Sequence, residues 1–544
     1  MKTRFFMAAL AALAIVGCNK ELGNTELPEV NSESAVLKVN VKAAGTMTKA
    51  DPGTFEDGLG TENAVSKVDF YFFDATGAAY QVATTGTNQI TWTDGTVDNV
   101  EKVSDVILVI KKTQQALPTQ VVAVVNSTVN YKDLSLTTLA SKVTALSNDN
   151  GFVMSNSVYV DANGAKIVAT EILPENIFTT TALDNVEPGQ AITGGKFTEG
   201  DKTITVNPVD IYVERVAAKV KVTLPNVTDG LIPVKDEEGV QMLDAEGKAV
   251  FAKVLGWNIT NCTDEAYLLK NVDPTWTNAA VGGFNWNNPD FFRSYWAKTT
   301  DAPTHPYSYN DLLKHMPEDG YDYYYENTLP AGDGFNVVEG TSAVGHNLTP
   351  QLLVAAKLVH SDGTTAVSLA KWYNVLYTVA NLKTAMVNKL AAKLYVKAAD
   401  NTYVSVSEDD VKFEQVPDDT ADNRYEVKVL PKDVTYYTVS GTDVTEIKGD
   451  DLAAVFADLD PAMMWETGMT YYHTNIKHFG TATGIVRNHV YNITVNGVMG
   501  FGTPVYNPDH VITPEDPDEQ PAANLAAQIN ILSWSVVSQN VTLQ

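Results

Sequence analysis

The sequence is poor in cysteine, in basic residues and in long apolar runs, and each scarcity excludes a class of protein. Its 544 residues include two cysteines, so a small scaffold held together by several disulfides is excluded. Lys and Arg number 38 against 66 Asp and Glu, which gives a formal net charge of -28, and a field of this sign repels nucleic acid and anionic membrane surfaces. Beyond the first residues, no window approaches the roughly 18 apolar residues of a membrane-spanning helix. Stability must therefore come from packed cores.

The first residues form the one long apolar stretch, and their pattern is typical of a lipoprotein signal peptide. Lys2 and Arg4 precede an apolar run, and the box formed by residues 15–18 ends at Cys18, where a peptidase would cut and the thiol would carry the lipid. An ordinary signal peptide with a chance cysteine is the alternative. After lipidation, Cys262 is the remaining thiol, so no intramolecular disulfide can form.

The rest of the sequence predicts a succession of short strands. Runs of β-branched and aromatic residues alternate with Gly, Asp, Asn and Pro, which is typical of β-sandwiches. The clearest runs are Val68–Phe73, Val106–Ile110, Val121–Val125, Ile204–Leu224 (two strands), Val254–Ile259, Leu352–Val359, Val427–Leu430 and Val490–Asn496. Helical spacing predicts short helices over Leu134–Leu146 and Leu452–Met464. We therefore predict a mainly β chain of two domains, with a junction in the segment from Pro225 to Pro233.

An apolar strand followed by a cleavable loop lies near the start of the chain. Leu37, Val39 and Val41 alternate with other residues, as in a strand with one buried face. The small and polar residues that follow form an exposed turn of the kind that proteases cut, and a trypsin-like enzyme would cut between Lys49 and Ala50. We interpret this first strand as a placeholder that is displaced after cleavage.

The end of the chain carries a matching apolar strand behind an acidic, proline-containing linker. The linker is Asp509–Pro521 and the strand is predicted over Leu525–Val537. Its apolar residues alternate with other residues, but the alternation shifts by one position near Leu532, which indicates a bulge or a change of partner. These apolar residues include Ile529, Ile531, Leu532, Trp534 and Val536. An apolar strand left alone aggregates, so it must pair with a sheet. It either folds back on its own domain or fills the position that the first strand leaves.

Residues that could serve catalysis or metal binding form no known motif. His473, His478, Glu466 and His489 lie near one another in the sequence but match no HExxH or comparable spacing. No GxSxG, P-loop or dinucleotide fingerprint occurs. We therefore predict that the protein is not an enzyme and uses neither a cofactor nor a metal.

The region from Trp276 to Tyr325 is rich in Trp, Tyr and Phe. Such rings could form a platform for sugars, so a surface glycan-binding lipoprotein is the alternative function. The same rings also fill cores and the seams between domains, which is the interpretation we favour. A glycan-binding lipoprotein has no use for a detached C-terminal strand, so deletion of that strand distinguishes the two functions.

Several short motifs follow one another along nearly the whole chain: the box ending at Cys18, the candidate cut at Lys49, Phe152–Asn156, Val213–Val220, Phe292–Ala297, Tyr325–Thr328 and Val486–Tyr491. In this order they resemble the type V fimbrial shaft pilins of the Bacteroidales, the fimbrilin family. Lys49 stands where an arginine is usual in that family, which leaves the identity of the maturing protease open. Asp419-Thr420-Ala421 fits a short acceptor pattern for O-glycosylation in these bacteria.

The resemblance implies a structural shaft subunit of a cell-surface fimbria, built from two transthyretin-like β-sandwich domains. It implies export of a lipidated precursor through the outer membrane and cleavage by an extracellular trypsin-like protease. The strand released by cleavage is then replaced by the C-terminal strand of a neighbouring subunit, which is donor-strand exchange. The implied partners are other copies of the chain, anchor and tip fimbrial subunits, the protease, and host or bacterial surface receptors in adhesion and biofilm formation.

The predicted organisation of the chain follows from these features. It consists of a signal peptide (1–18), a propeptide with the first strand (19–49), an N-terminal β-sandwich (50–226), a C-terminal β-sandwich (227–508), and a linker with the donor strand (509–544).

Overall fold

The computed structural model describes most of the chain, which is mainly β with a few short helices. The described residues are 34–44, 58–86, 92–94, 100–112, 116–161, 163, 165–180, 191–192, 197–199, 201–204, 207–225, 227–260, 262, 265–272, 280–281, 284–285, 307–313, 315, 320–325, 350–417, 425–476, 484–512 and 535–543. Their α-helices are α1 Leu136–Ala140, α2 Tyr309–Leu312, α3 Val379–Ala391 and α4 Gly449–Ala457. Within these ranges no helix has the length and apolar character needed to span a membrane.

The strands form two large sheets and several small ones. Those of the first part of the chain are β1 Ser34–Ala44, β2 Lys67–Phe73, β3 Ala79–Gly86, β4 Trp92–Asp94, β5 Val100–Lys111, β6 Gln120–Val125, β7 Val143–Thr144, β8 Ser147–Asn148, β9 Gly151–Phe152, β10 Met154–Asn156, β11 Tyr159–Val160, β12 Lys166–Ile167, β13 Thr170–Glu171, β14 Ile177–Thr179, β15 Ala191–Ile192, β16 Phe197–Glu199, β17 Lys202–Ile204, β18 Val209–Arg215 and β19 Ala217–Thr223. Those that follow are β20 Leu231–Lys235, β21 Phe251–Thr260, β22 Ala266–Tyr267, β23 Ala280–Val281, β24 Phe284–Asn285, β25 Tyr307–Ser308, β26 Tyr321–Tyr325, β27 Gln351–Val359, β28 Leu369–Trp372, β29 Val375–Tyr377, β30 Tyr395–Lys397, β31 Tyr403–Ser405, β32 Val411–Pro417, β33 Tyr425–Pro431, β34 Tyr436–Ser440, β35 Asp443–Ile447, β36 Met463–Trp465, β37 Met469–Asn475, β38 His489–Met499, β39 Thr503–Pro504, β40 Val511–Ile512 and β41 Ser535–Leu543.

The first large sheet contains the strands predicted over Val68–Phe73, Val106–Ile110 and Val121–Val125 as parts of β2, β5 and β6. Its order is β15, β5, β1, β18, β10, β6, β2 and β3. One buried cluster contains residues from strands near both ends of this order, namely Phe70 of β2, Leu108 of β5, Val121 of β6 and Ile211 of β18. The sheet therefore folds over on itself into two layers around a common core.

The second large sheet runs β26, β19, β38, β20, β21, β27, β37 and β39, and β41 pairs with β38. Its core contains completely buried large side chains, among them Trp257, Tyr472 and Tyr491. The predicted strands over 254–259 and 490–496 are confirmed as parts of β21 and β38. The sheet face is hydrophobic because alternate residues of these strands point to the same side.

An inserted region separates two strands that are neighbours in the second sheet. β27 and β37 pair directly, with Gln351 opposite Asn475, while the chain between them folds around a core of its own. The sequence prediction missed α3 in this region, although Leu382, Met386 and Leu390 recur at helical spacing and are buried. The predicted helix over Leu452–Met464 ends earlier, at Ala457, because Met463 begins β36.

The chain passes from the first sheet to the second at Val216, between β18 and β19. The boundary between the two domains, which the sequence analysis places between residues 226 and 227, stays a prediction. Val213–Val220 contains no turn residue, so the sequence does not reveal that its two halves belong to different sheets. Val216 itself is completely buried.

Candidate functional site

The first strand, β1, lies in the interior of the first sheet. It pairs antiparallel with β5 along its whole length, from Ser34 opposite Lys111 to Ala44 opposite Val100. On its other edge it pairs antiparallel with β14 and then parallel with β18. Removal of β1 would therefore leave unpaired backbone groups on both sides of a slot.

One face of β1 fills the core of the first sheet. Ala35, Leu37 and Val39 are each 0% exposed and lie in the same cluster as Phe70 and Leu108. The backbone of Val41, the third predicted residue of this face, pairs with Ser104 and Ile211. The slot thus provides a row of apolar positions at every second residue.

The predicted lipidation and cleavage sites are not covered by the structure. Cys18, Lys49 and Ala50 lie outside the described residues, so both modifications stay predictions. β1 ends at Ala44, which places the whole strand before Lys49 in the sequence. A cut after Lys49 would therefore separate all of β1 from the rest of the chain.

The C-terminal strand, β41, pairs parallel with β38 of its own chain. Its register runs from Ser535 opposite His489 to Leu543 opposite Val498. Residues 490–494 of β38 also pair with β19, so β19 and β41 occupy opposite edges of β38. β41 thus covers an edge that would otherwise present unpaired backbone groups.

The described C-terminal strand differs in its bounds from the predicted one. It begins at Ser535 and ends at Leu543, whereas the sequence pattern placed the strand over Leu525–Val537. Val536 pairs with Val490. The other predicted donor residues lie outside the described residues, namely Ile529, Ile531, Leu532 and Trp534.

A buried polar network joins the two sheets close to both of these strands. Glu62 is 0% exposed, and its Oε1 lies 2.6 Å from the Nζ of Lys219 in β19. Arg215, the last residue of β18, donates from Nε to the carbonyl of Glu62 (2.8 Å) and from Nη1 to Oδ1 of Asn488 (3.1 Å). Because Asn488 immediately precedes β38, the network connects the strand beside β1 with the strand beside β41.

A second set of buried charges extends this seam between the sheets. Nζ of Lys270 lies 3.2 Å from a carboxylate oxygen of Glu214, and both side chains are fully buried. Arg487 donates to the carbonyls of Leu268 (3.2 Å) and Tyr267 (2.6 Å). Burial of charge is costly unless it is paired, so these contacts fix one arrangement of the two sheets.

Reasoning from the sequence missed this network. The signal that could have revealed it is the presence of charged residues inside apolar runs, at Glu214, Arg215 and Lys219 in one segment and at Arg487 in another. A charged residue is seldom fully buried unless it is paired. Such residues inside core strands therefore indicate a buried ion pair.

We expect Glu62→Gln to destabilise the folded chain by about 3–5 kcal/mol, because it leaves the buried Lys219 ammonium without its carboxylate. Chemical denaturation measures the change. Glu246→Gln is the matched control, since the Lys248–Glu246 pair is equally short at 2.6 Å but both side chains are more than half exposed, and it should leave stability unchanged. Equal effects of the two substitutions would contradict a structural role for the seam.

His473, His489 and the remaining thiol, Cys262, lie within the fold, and His478 lies outside the described residues. Nδ1 of His489 lies 2.7 Å from the carbonyl of Arg487, and His473 lies in β37. In the described parts of the chain, no three His, Cys, Asp or Glu side chains are close enough to hold a metal ion. Cys262 is buried, and burial raises the pKa of its thiol, so it stays protonated and unreactive at neutral pH.

Two rings of the aromatic region belong to the core. Tyr309 donates to the carbonyl of Ala356 (2.7 Å), and Tyr324 donates to Oδ1 of Asn258 (3.1 Å). Both rings are buried, and burial raises the pKa of both phenols. These two tyrosines therefore stabilise the fold, while Trp276 and Trp296 of the same region lie outside the described residues.

Comparison with known proteins points to fimbrial proteins. The family model described as major fimbrial subunit protein type IV, fimbrillin, C-terminal, matches residues 463–540, which include β37, β38 and part of β41. No curated protein sequence matches the chain.

Solved structures of fimbrial proteins resemble the chain at low identity. A fimbrial assembly protein from Parabacteroides distasonis is 10% identical, with 76% of this chain and 100% of that chain covered and a TM-score of 0.27. The tip fimbrial protein Mfa3 from Porphyromonas gingivalis is 11% identical (63% and 80% covered, TM-score 0.25), and the fimbrial anchor protein Mfa2 from the same organism is 8% identical (68% and 95%, 0.19). Residues 463–540 of this chain are therefore similar to the C-terminal part of fimbrillin.

Proposed function

We propose that the chain is a shaft subunit of a cell-surface fimbria and polymerises by protease-triggered donor-strand exchange. The observation that carries this proposal is the position of β1, which is paired on both edges and precedes the predicted cut after Lys49 in the sequence. The family match supports a fimbrial subunit. The lipid on Cys18, the cut between Lys49 and Ala50, and the contribution to adhesion and biofilm formation belong to the proposal.

The slot and the C-terminal segment have matching apolar spacing. Ala35, Leu37 and Val39 fill the slot at every second residue, and Leu532, Trp534 and Val536 recur at the same interval. A donor strand from another subunit can therefore place one apolar row in the core while its backbone pairs with β5 and β18. Ile529 and Ile531 recur in the other phase, and a bulge near Leu532 would bring them into the same apolar row.

Exchange would also give the C-terminal strand better pairing than it has in the single subunit. In the described sheet β41 has one paired neighbour, β38, whereas β1 in its slot has a neighbour on each edge. Transfer of the strand thus forms additional backbone hydrogen bonds, and each contributes about 0.5–1.5 kcal/mol. Donor and slot are different surfaces, so the contact does not close and extends as a filament.

The proposed partners follow from this mechanism. Other copies of the chain supply and receive donor strands, anchor and tip subunits end the filament, and an extracellular trypsin-like protease starts assembly. The assembled fimbria would bind surface receptors on a host or another bacterium.

We expect Lys49→Ala to trap a lipidated precursor that does not form filaments, because β1 stays attached and fills its own slot. Filaments of the unaltered protein should begin at Ala50, which N-terminal sequencing determines. Lys132→Ala, at an exposed lysine of the first domain, is the control and should assemble normally. Normal filaments from Lys49→Ala would count against maturation at this site.

A further inference from the structure

A groove on the outer face of the first sheet is separate from the slot that holds β1. Its volume is about 860 Å³, within the usual range of small-molecule sites. We call it the β18 groove and define it by Gln120, Tyr159, Lys166, Glu171, Asp210 and Tyr212. Asp210 and Tyr212 alternate along β18 with Val209, Ile211 and Val213, which belong to the core, so the groove lies on the opposite face of that strand.

The walls of the β18 groove come from several elements that the fold brings together. The hairpin of β11 and β12 supplies Tyr159 and Lys166, and it is held by antiparallel pairing of Tyr159 with Ile167. Gln120 and Glu171 pair across β6 and β13. The backbone of Ser157, which also lines the groove, donates to the carbonyl of Tyr212 (2.8 Å). The groove is thus formed by paired backbone and not by a single loop.

Two polar side-chain atoms at the wall of this groove have no hydrogen-bond partner. Oγ1 of Thr119 and Oε1 of Gln120 are buried and have no hydrogen-bond partner in the structure, which is unusual for buried polar atoms. The carboxylates of Glu171 and Asp210 lie on exposed residues of the same groove. The cation of the groove, Lys166, donates to Oδ1 of Asn271 (3.1 Å). A ligand that donates hydrogen bonds to Gln120 and Glu171 would therefore suit this site.

We propose that the β18 groove binds a neutral carbohydrate. Sugar hydroxyls donate to carboxylate and amide oxygens, and the apolar faces of sugar rings pack on aromatic side chains such as Tyr159 and Tyr212. Two carboxylates in the groove and a chain charge of -28 disfavour sialylated or phosphorylated ligands. The inference does not depend on the proposed strand exchange.

The groove would give a filament a binding function along its whole length. Each copy of the chain carries one groove, so a weak single site would act many times on one surface, and avidity would exceed the affinity of one site. This assigns ligand binding to the shaft itself in addition to any terminal subunit.

The test uses the full, uncleaved chain on an array of immobilised neutral and sialylated oligosaccharides, followed by titration calorimetry with the neutral oligosaccharide that gives the strongest signal. We expect binding to at least one neutral oligosaccharide and a loss of tenfold or more in affinity for Tyr212→Ala. Tyr373→Ala removes a tyrosine that is 47% exposed elsewhere on the chain and should bind normally. Glu171→Gln changes an exposed side chain and should also weaken binding, which keeps the test valid if Tyr212→Ala lowers the melting temperature.

Three results would overturn the proposal. One is no binding to any neutral oligosaccharide. Another is equal affinity of the unaltered chain, Tyr212→Ala and Glu171→Gln. The third is a preference of the groove for a charged ligand. It would be seen as stronger binding of sialylated oligosaccharides, or as displacement of the sugar by a lysine-rich peptide but not by free neutral sugar. Failure to assemble filaments in a separate experiment would leave this inference untouched, because binding is measured on single subunits.

Discussion

A subunit made without residues 1–49 and without its own residues 525–544 is expected to be markedly less stable and to recover when a peptide of residues 525–544 is added. Loss of β1 uncovers the core positions of Leu37 and Val39, each of which contributes about 1.5–3 kcal/mol when fully buried. It also leaves the facing edges of β5 and β18 without partners. The melting temperature of the first domain should therefore fall by roughly 10 °C.

Recovery by the peptide distinguishes an open slot from general damage. A ligand that binds the folded state alone stabilises it by about 2.7 kcal/mol at a concentration of one hundred times its dissociation constant. Calorimetric melting with and without peptide measures this effect. A peptide that carries Ile531→Asp and Trp534→Asp is the matched control and should give no recovery. An equal effect of both peptides, or of neither, would contradict the proposed slot.

Aspartate at Trp534 or Ile531 in the full-length chain is expected to abolish filaments and leave the single subunit intact. The charge would have to enter the apolar row that Leu37 occupies, and burial of an unpaired carboxylate in such a row is strongly unfavourable. The unassembled subunit keeps its own β1 in the slot, so its melting temperature should change by less than about 2 °C. Electron microscopy of isolated filaments and thermal melting of the purified subunit give the two readouts.

The control for this prediction introduces the same charge at a different apolar residue. Val240 is 60% exposed, so Val240→Asp should affect neither assembly nor melting. If Trp534→Asp lowers the melting temperature of the subunit as much as it impairs assembly, the C-terminal segment belongs to the core of its own subunit. That outcome would reject its role as a donor.

The sequence predicted the positions of strands well where alternation or a continuous apolar run was clear. It did not predict which strands pair with one another in a sheet. The pattern around Leu37 and Val39 correctly indicates a strand with a buried face, because side chains alternate along any strand. The same pattern does not reveal that β5 and β18 lie on its two edges, since backbone pairing leaves little trace in side-chain identity. The interior position of β1, on which the proposed exchange depends, therefore came from the structure.

The seam between the sheets and the β18 groove were also beyond the sequence. Glu62 and Lys219 are far apart in the chain, and charged residues are usually placed on the surface. Their burial follows from how two sheets meet at Val216, which is a tertiary property. In the sequence, the alternation around Asp210 and Tyr212 is typical of the solvent-exposed face of a strand. The groove forms because the β11–β12 hairpin and the strands β6 and β13 pack around these residues, which the sequence does not show.

A photo-crosslinker at position 534 shows directly whether the C-terminal segment of one subunit occupies the slot of another. Benzoylphenylalanine is introduced in place of Trp534, filaments are irradiated, and the crosslinked peptides are identified by mass spectrometry. We expect crosslinks between subunits, to β5 or β18 around Leu108 and Ile211. Crosslinks confined to β38 or its surroundings within the same chain would contradict it, because the strand would then have stayed beside its own second sheet.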